Sequence, residues 1–361
     1  MILPELPYIS RFATKKGGHG GNRRTRQIAE SLESIGVMTI NLSRPTSSAK
    51  STTKLSSLHS LDKEFNSLYD FNIYISSQLN ADETLATAIC SSKIKGAVVD
   101  DPIFFPKTMR EMAIKNIPTV SIIHNIESFV PRSMTIHPQW SLLKDEVNLI
   151  NNTNLSVTIA REDTWLLRNF GMKCYYHPYY PPVDTEAELA KIRIARRKSH
   201  KKFFLCMGTA YNPPTLFGMQ ILINSWSNLM HGKIPLIIAG YGVDGFFDQP
   251  PSTTAITIVG EVSHIEMTSL LTECIACILH QETGSGALTK IPELLRSGIP
   301  IIASQHAARS YEGTEGLYEY QELAEIPKIM QDIIQGIHST PYLPKPDEKR
   351  LLTRVTSALR L

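Results

Sequence analysis

Hydrophobic positions along the chain fall into two alternating patterns, short β-rich runs and longer stretches with apolar residues on one helical face. PELPYIS is followed by the loop KKGGHGGN and then by a segment that places Ile28, Leu32 and Ile35 together, stopped by Gly36. VMTINLS, FNIYISS, GAVVDD, TVSIIHN and LSVTIA predict further strands, and a Ser/Thr-rich stretch from Ser43 to Ser60 predicts a flexible loop. Pro178, Pro181 and Pro182 cannot continue a central strand and mark the entrance to a linker. After the helical, basic segment TEAELAKIRIARRKSHKK a second series begins, in which FFLCMGT, PLIIAGYG, AITIVGE, CIACILH and IPIIAS predict strands. Such βα alternation predicts α/β architecture with a parallel, doubly wound sheet in each half. The Pro-rich bridge TPYLPKP leads to a last helix, DEKRLLTRVTSALRL.

Chemistry concentrates where strands of the second series end. Gly208, Gly240 and Gly260 close three of them. Ligands of open α/β sheets bind beyond the carboxyl ends of strands, where glycine lets backbone approach phosphate, although each could equally be an ordinary tight turn. The most informative segment is HQETGSGALTKIPELLRSGIPIIAS, residues 280–304. Gly284 and Gly286 flank Ser285, a helix is expected from near Leu288, Lys290 lies in its first turn, and Glu293 follows one turn later. Leu288, Ile291 and Leu295 form the opposite, buried stripe, and Gly298 ends the helix before Pro300. The turn and helix start can hold a diphosphate, and a carboxylate one turn on can bind ribose hydroxyls. Alternatively, Lys290 and Glu293 form an exposed i,i+3 ion pair worth a few tenths of a kcal/mol.

Composition narrows the function classes. The 361 residues, 42% hydrophobic and 20% charged, suffice for two α/β domains. No run of 18 apolar residues predicts a membrane span, and MILPELPYIS lacks the positive start of a secretory signal, which points to the cytoplasm. A net charge of +3 is too mild for a dedicated nucleic-acid binder. Positive residues nevertheless cluster, at Lys15, Lys16, Arg23, Arg24 and Arg26, and at Lys191, Arg193, Arg196, Arg197, Lys198, Lys201 and Lys202. These runs read either as solvated faces or as attraction to anionic lipid or phosphate. Cys274 and Cys277 form a CxxC inside an apolar run with no second pair, which makes them core residues of a strand. Asp100 and Asp101 are a strand-end pair without the spacing of a metal motif, and no metal is expected. A nicotinamide enzyme is disfavoured, because no G-x-G-x-x-G follows the first strand.

Residues 203–334 resemble the donor-binding domain of the retaining GT-B glycosyltransferases of family 4. GSGALTKIPEL is similar to the subgroup signature G-S-G-T-R-x-K-x-x-E-A at Gly284, Ser285, Gly286, Lys290 and Glu293. GTAYNPPT, PLIIAGYG and AITIVGEV resemble three further strand-end motifs of that domain, in the same order. More weakly, the glycines before the first helix and SIIHNIESF resemble the family's first loop and its H-N-x-E-S strand end. The resemblance implies a GT-B fold, two Rossmann-like doubly wound domains facing a cleft: an acceptor domain 1–184, a nucleotide-sugar domain 185–340, and a helix 341–361 crossing back to the first domain. It implies transfer of a hexose from a UDP- or GDP-sugar to a glycan or glycolipid hydroxyl, with retention and without a cofactor, near the inner face of a membrane. Donor contacts would come from Gly208, Thr209, Gly240, Gly242, Glu282, Thr283, Gly284, Ser285, Gly286, Ala287, Lys290 and Glu293. His124 would face the reacting sugar, with Lys290 and Glu293 as its catalytic partners, and Gly17, Gly18, Gly20, Gly21, Arg23 and Arg24 would form a loop over acceptor and phosphates. His124 could instead be a core or capping histidine, and the loop merely flexible. Two departures stand out: Ser285 replaces the first of two glutamates eight positions apart, and GTAYNPPT lacks the basic pair many relatives carry. They leave open a catalytically inactive, sugar-binding or scaffold GT-B protein, and a nucleotide-sugar epimerase is a further rival.

Overall fold

Strands of a parallel sheet covered on both faces bury every side chain, and those within GAVVDD, TVSIIHN, LSVTIA and IPIIAS do so in the computed structural model. It describes residues 3–12, 14, 20–41, 82–130, 140–230, 234–247, 255–337 and 339–361. Ser43 to Ser60 and FNIYISS lie outside these residues. Contacts divide the chain into two compact units, one holding Met1–Pro178 with Pro346–Leu361 and the other Tyr179–Lys345.

Unit 1 contains β1 (Pro7–Ser10), α1 (Gly20–Glu33), β2 (Met38–Asn41), α2 (82–91), β3 (Ala97–Asp100), α3 (Pro106–Ile114), β4 (Thr119–Ile123), α4 (Trp140–Asn151), β5 (Leu155–Thr158), α5 (Arg161–Asn169) and β6 (Cys174–Tyr176). Its six described strands lie in the order β2-β1-β3-β4-β5-β6, every neighbouring pair parallel. All residues of β3, β4 and β5 are buried. That explains their continuous apolar runs.

Unit 2 contains α6 (Val183–Arg196), β7 (Phe203–Met207), α7 (Pro213–Met230), β8 (Leu236–Ala239), α8 (Val243–Phe246), β9 (Ile256–Gly260), α9 (His264–Glu273), β10 (Cys274–Leu279), α10 (Lys290–Arg296), β11 (Ile301–Ser304), α11 (Gln305–Ala308), β12 (Leu317–Tyr320) and α12 (Ile326–Ile334). Its parallel sheet runs β12-β11-β10-β7-β8-β9, the order of a dinucleotide-binding fold. Side chains alternate between its faces, except where an irregularity between Cys274 and Cys277 in β10 puts both in the same core. Leu205, Cys277 and Ile301 enter the core beneath α6 and α10, while Phe204, Ile278 and Ile302 enter the one beneath α7 and α12. Cys274 and Cys277 are buried on β10, as the sequence led us to expect. Finally α13 (Glu348–Leu359) returns the chain to unit 1, where Leu351, Val355 and Leu359 join Tyr8, Val120 and Val157 in one core.

The doubly wound, two-sheet α/β fold expected from the alternation is therefore present. Two short strands, β6 and β12, were not expected. Both are edge strands, which carry fewer apolar residues because one side of the ladder has no neighbour. Among the described residues no helix is long and apolar enough to cross a membrane.

Candidate functional site

In unit 2 the connections from β7 and β10 run to opposite edges of the sheet, so the crevice for a ligand opens beyond the carboxyl ends of these two adjacent strands. Gly208 and Thr209 leave β7 there, residues 280–287 leave β10, and Gly240 to Gly242 leave β8 next door. Backbone contact at this point is closer than any side chain permits. A Cβ at Gly240, whose φ is +144°, would stand 1.7 Å from the Gly208 carbonyl oxygen, and one at Gly218 of α7 would stand 1.7 Å from that of His280. Lys290 reaches from α10 to the same place, donating its ammonium to the Met207 carbonyl at 2.8 Å. A Cβ at Gly208 would lie only 2.8 Å from that ammonium. Gly242 is covered by the ring of Tyr211, which with Tyr241 and Phe246 forms an exposed aromatic cluster at the rim.

The turn between β10 and α10 is shaped by a residue the sequence did not single out. Arg309, buried behind it, donates from Nε to the Gly286 carbonyl at 2.8 Å and from Nη2 to the Ser285 carbonyl at 2.9 Å. His306 Nε2 lies 3.2 Å from the Gly284 carbonyl. Because a peptide group is planar and trans, carbonyls drawn towards Arg309 and His306 send the following N–H groups the other way. The amides of Ser285, Gly286 and Ala287 thus share a direction, the pattern of an anion-binding nest, with Gly284 and Gly286 at φ +110° and +74°. Glu282 is exposed beside His280 at 3.3 Å, and Thr283 and Thr209 are half-buried.

The helix α10 begins two residues later than expected and spans only seven, which shifts weight from its dipole to Lys290 and the turn. Ile291 and Leu295 are buried as the stripe required, and Leu288 is half-buried. Glu293 is not on a solvated face. It is 8% exposed and accepts a 2.7 Å hydrogen bond from the Tyr179 hydroxyl, so the exposed ion pair does not describe it.

Unit 1 gathers its polar groups at the ends of β1, β3 and β4. Asp100, fully buried, accepts from Tyr8 Oη at 2.7 Å, Ser10 Oγ at 2.6 Å and Thr25 Oγ1 at 2.6 Å, and lies 3.2 Å from His124 Nε2. Asp101, at a left-handed φ of 41°, accepts from the His124 amide at 3.0 Å, and Arg11 stands 3.5 Å from Asp101 and 3.7 Å from Glu127. Phe12 stacks on the His124 ring at 5.0 Å. Burial opposes a charge on His124, but the carboxylates of Asp101 and Asp100 more than compensate and raise its pKa. Burial likewise opposes the charge on Asp100, and His124 with the hydroxyl donors holds it below the ordinary range. Glu146 of α4 accepts from the amides of Glu127 at 2.7 Å and Ser128 at 2.9 Å, and burial pushes its pKa up to about 7.

Of the glycine loop, Gly17 and Gly18 lie outside the described residues, while Gly20 and Gly21 open α1. Arg23 is half-buried in its first turn. Arg24 departs from the expected phosphate contact. It shares the inward stripe of Ile28 and Leu32, is fully buried, and donates to the His177 carbonyl at 2.6 Å and the Pro178 carbonyl at 3.2 Å. Its guanidinium ties α1 to the segment after β6.

No family model and no curated protein matches the chain in sequence. Solved structures do match in shape. Sucrose-phosphate synthase from Thermosynechococcus elongatus superposes with a TM-score of 0.61 at 14% identity, over 98% of this chain and 93% of its own. The catalytic domain of starch synthase IV from Arabidopsis thaliana, bound to ADP and acarbose, gives 0.59 at 8% identity over 99% and 95%. A UDP-forming α,α-trehalose-phosphate synthase from Burkholderia vietnamiensis gives 0.57 at 11% over 99% and 96%. The fold is GT-B. Within this GT-B chain, sequence reasoning missed Arg309, Tyr179 and Glu146. Each acts on a residue far away in sequence, and the one local signal was a lone arginine in QHAARSYEG.

Proposed function

We propose that the chain is a glycosyltransferase that moves a hexose from a nucleoside-diphosphate sugar to a hydroxyl acceptor, a glycan or glycolipid, with retention. The observation that carries this reading is that Lys290 and the 285–287 amides both lie beyond the carboxyl ends of the adjacent strands β7 and β10. Negative charge grows on the departing diphosphate, and preorganised amides and an ammonium stabilise it there without reorganising. Gly208 and Gly240, packed too closely for any side chain, shape the backbone beside the phosphates, while Glu293, oriented by Tyr179, receives the ribose hydroxyls of a UDP- or GDP-sugar. Thr209, Gly242, Glu282, Thr283 and Ser285 are left for the sugar. In unit 1 we assign His124, held by Asp100 and stacked by Phe12, to sugar recognition. Arg309 provides a buried positive charge at the turn, which offsets the basic pair missing from GTAYNPPT. The names of the structural neighbours, which speak of sugar-phosphate and starch synthesis with UDP or ADP, support the same class.

The test is thermal unfolding against a panel of nucleoside diphosphates and their sugars, for the native chain and Glu293→Ala. A cognate ligand at 100 times its Kd adds about 2.7 kcal/mol, and the variant is expected to lose most of that gain. A chain that no nucleotide stabilises would sink the proposal. Binding without turnover across a broad acceptor panel would favour the inactive, sugar-binding reading instead.

A further inference from the structure

The basic run that follows Lys191 has no part in the donor site, yet the structure does not leave it as a uniform solvated face. Arg193, Arg196, Arg197 and Lys201, with Ile275 and Pro300, line a cavity of about 530 Å³ at the amino ends of β10 and β11. The strand β10 has six residues, so the cavity lies at the opposite end of the sheet from the donor site, about 17 Å away at ~3.3 Å per residue. Among the described residues, no aspartate or glutamate lines it.

Part of this positive charge is structural. Arg196 is buried and donates to the carbonyls of Leu271 at 2.5 Å and Cys274 at 2.8 Å, where α9 ends. Lys201 donates to the carbonyls of Arg196 at 2.7 Å and Thr272 at 2.9 Å, and Arg193 to that of Pro341 at 3.0 Å. Carbonyls satisfy these donors but carry no formal charge; of the four cations Glu273, outside the lining, acts on Lys201 alone, and the three arginines stay together in the wall of the cavity. Burial lowers the pKa of Arg193, and the neighbouring charges of Arg296 and Arg197 lower it further. Arg197 is exposed, and its guanidinium has no hydrogen-bond or salt-bridge partner among the described residues. Helix stapling therefore explains Arg196 and leaves Arg197 unexplained.

We propose that this cavity binds a multiply charged phosphate group, in a ligand the size of a sugar phosphate or nucleotide. A volume of 530 Å³ falls within the range of small-molecule sites, and a guanidinium fork matches phosphate oxygens two at a time. The inference does not rest on the donor reading, because the two sites respond to different variants.

The experiment is calorimetric titration of the full chain with inorganic pyrophosphate, using the native protein, Lys290→Ala, Arg197→Glu and Arg193→Ala. Substitution of Arg197, whose side chain makes no hydrogen bond among the described residues, is expected to leave the fold intact. We expect Arg197→Glu and Arg193→Ala each to weaken one binding event about tenfold or more, and Lys290→Ala to leave that event in place. Pyrophosphate affinity unchanged in both arginine variants overturns the proposal, as does binding that vanishes only in Lys290→Ala. Co-sedimentation with phosphatidylcholine vesicles, with and without phosphatidylglycerol, identifies the source. Pelleting with the anionic vesicles that Arg197→Glu abolishes assigns a lipid headgroup, and pyrophosphate binding without pelleting assigns a soluble phosphate.

Discussion

The carboxyl ends of the two sheets solve the same problem with different materials. In unit 1, side chains balance one another: Asp100, Asp101 and Glu127 face His124 and Arg11, and three hydroxyls complete Asp100. In unit 2 the backbone does the work, through Gly208, Gly240, the 284–287 turn, and an ammonium resting on the Met207 carbonyl. A cluster in which each charged group has a partner of its own holds those groups at fixed angles and directs a side chain. A backbone cradle of tightly packed glycines with one ammonium beside it is, on the reading proposed above, a place for an anion that comes from outside. The first can be weakened by deleting a hydrogen bond, whereas the second fails when a single methyl group is added.

That contrast can be broken at its strongest point with Gly240→Ala. The new methyl would meet the Gly208 carbonyl at 1.7 Å in a left-handed backbone, and we expect a loss of about 3 kcal/mol or more in urea unfolding. A loss below about 1 kcal/mol would mean that the cradle is soft, and the contrast with unit 1 would fall. Next comes Arg309→Met, which keeps bulk but removes charge-assisted bonds to the Ser285 and Gly286 carbonyls. It should cost about 2 kcal/mol of stability and weaken nucleotide binding, and an unchanged Kd would show that the turn needs no such support. The smallest effect at any one step, a slope with pH, sharpens the picture of unit 1. Burial raises Glu146 to about 7, above its value in the unfolded chain, so the native state binds its proton more tightly. Its contribution is therefore full below about pH 4.5 and declines by roughly 1 kcal/mol per pH unit as pH rises towards 7. Glu146→Gln should flatten that slope in unfolding measured across the same window.

Legibility in the sequence followed burial. The strands β3, β4, β5, β10 and β11 were readable because both of their faces are covered, leaving uninterrupted apolar runs. The strands β6 and β12 were not, because CYY precedes a His-Pro pair and LYEY carries a glutamate, as edges tolerate. At the candidate site of unit 2, Gly208, Gly240, Gly284, Lys290 and Glu293 could be singled out because strand-end glycines and a helix start are local patterns. Tyr179 and Arg309 could not, since only folding brings one to Glu293 and the other to Ser285. Arg24 misled for a related reason. It sits among basic neighbours, but its helical phase points it inwards with Ile28.

The return of α13 to unit 1 sets an order of events during synthesis. Unit 2 is one uninterrupted stretch, Tyr179–Lys345, and every strand of its sheet is available once that stretch has emerged. Unit 1, begun first, waits longer. The face of its sheet around Tyr8, Val120 and Val157 has no cover from Leu351, Val355 and Leu359 until the segment Glu348–Leu359 has been made. Of the two units, the one begun earlier is thus the one completed later. In the interval its uncovered apolar face is what a chaperone, or a neighbouring nascent chain, would meet.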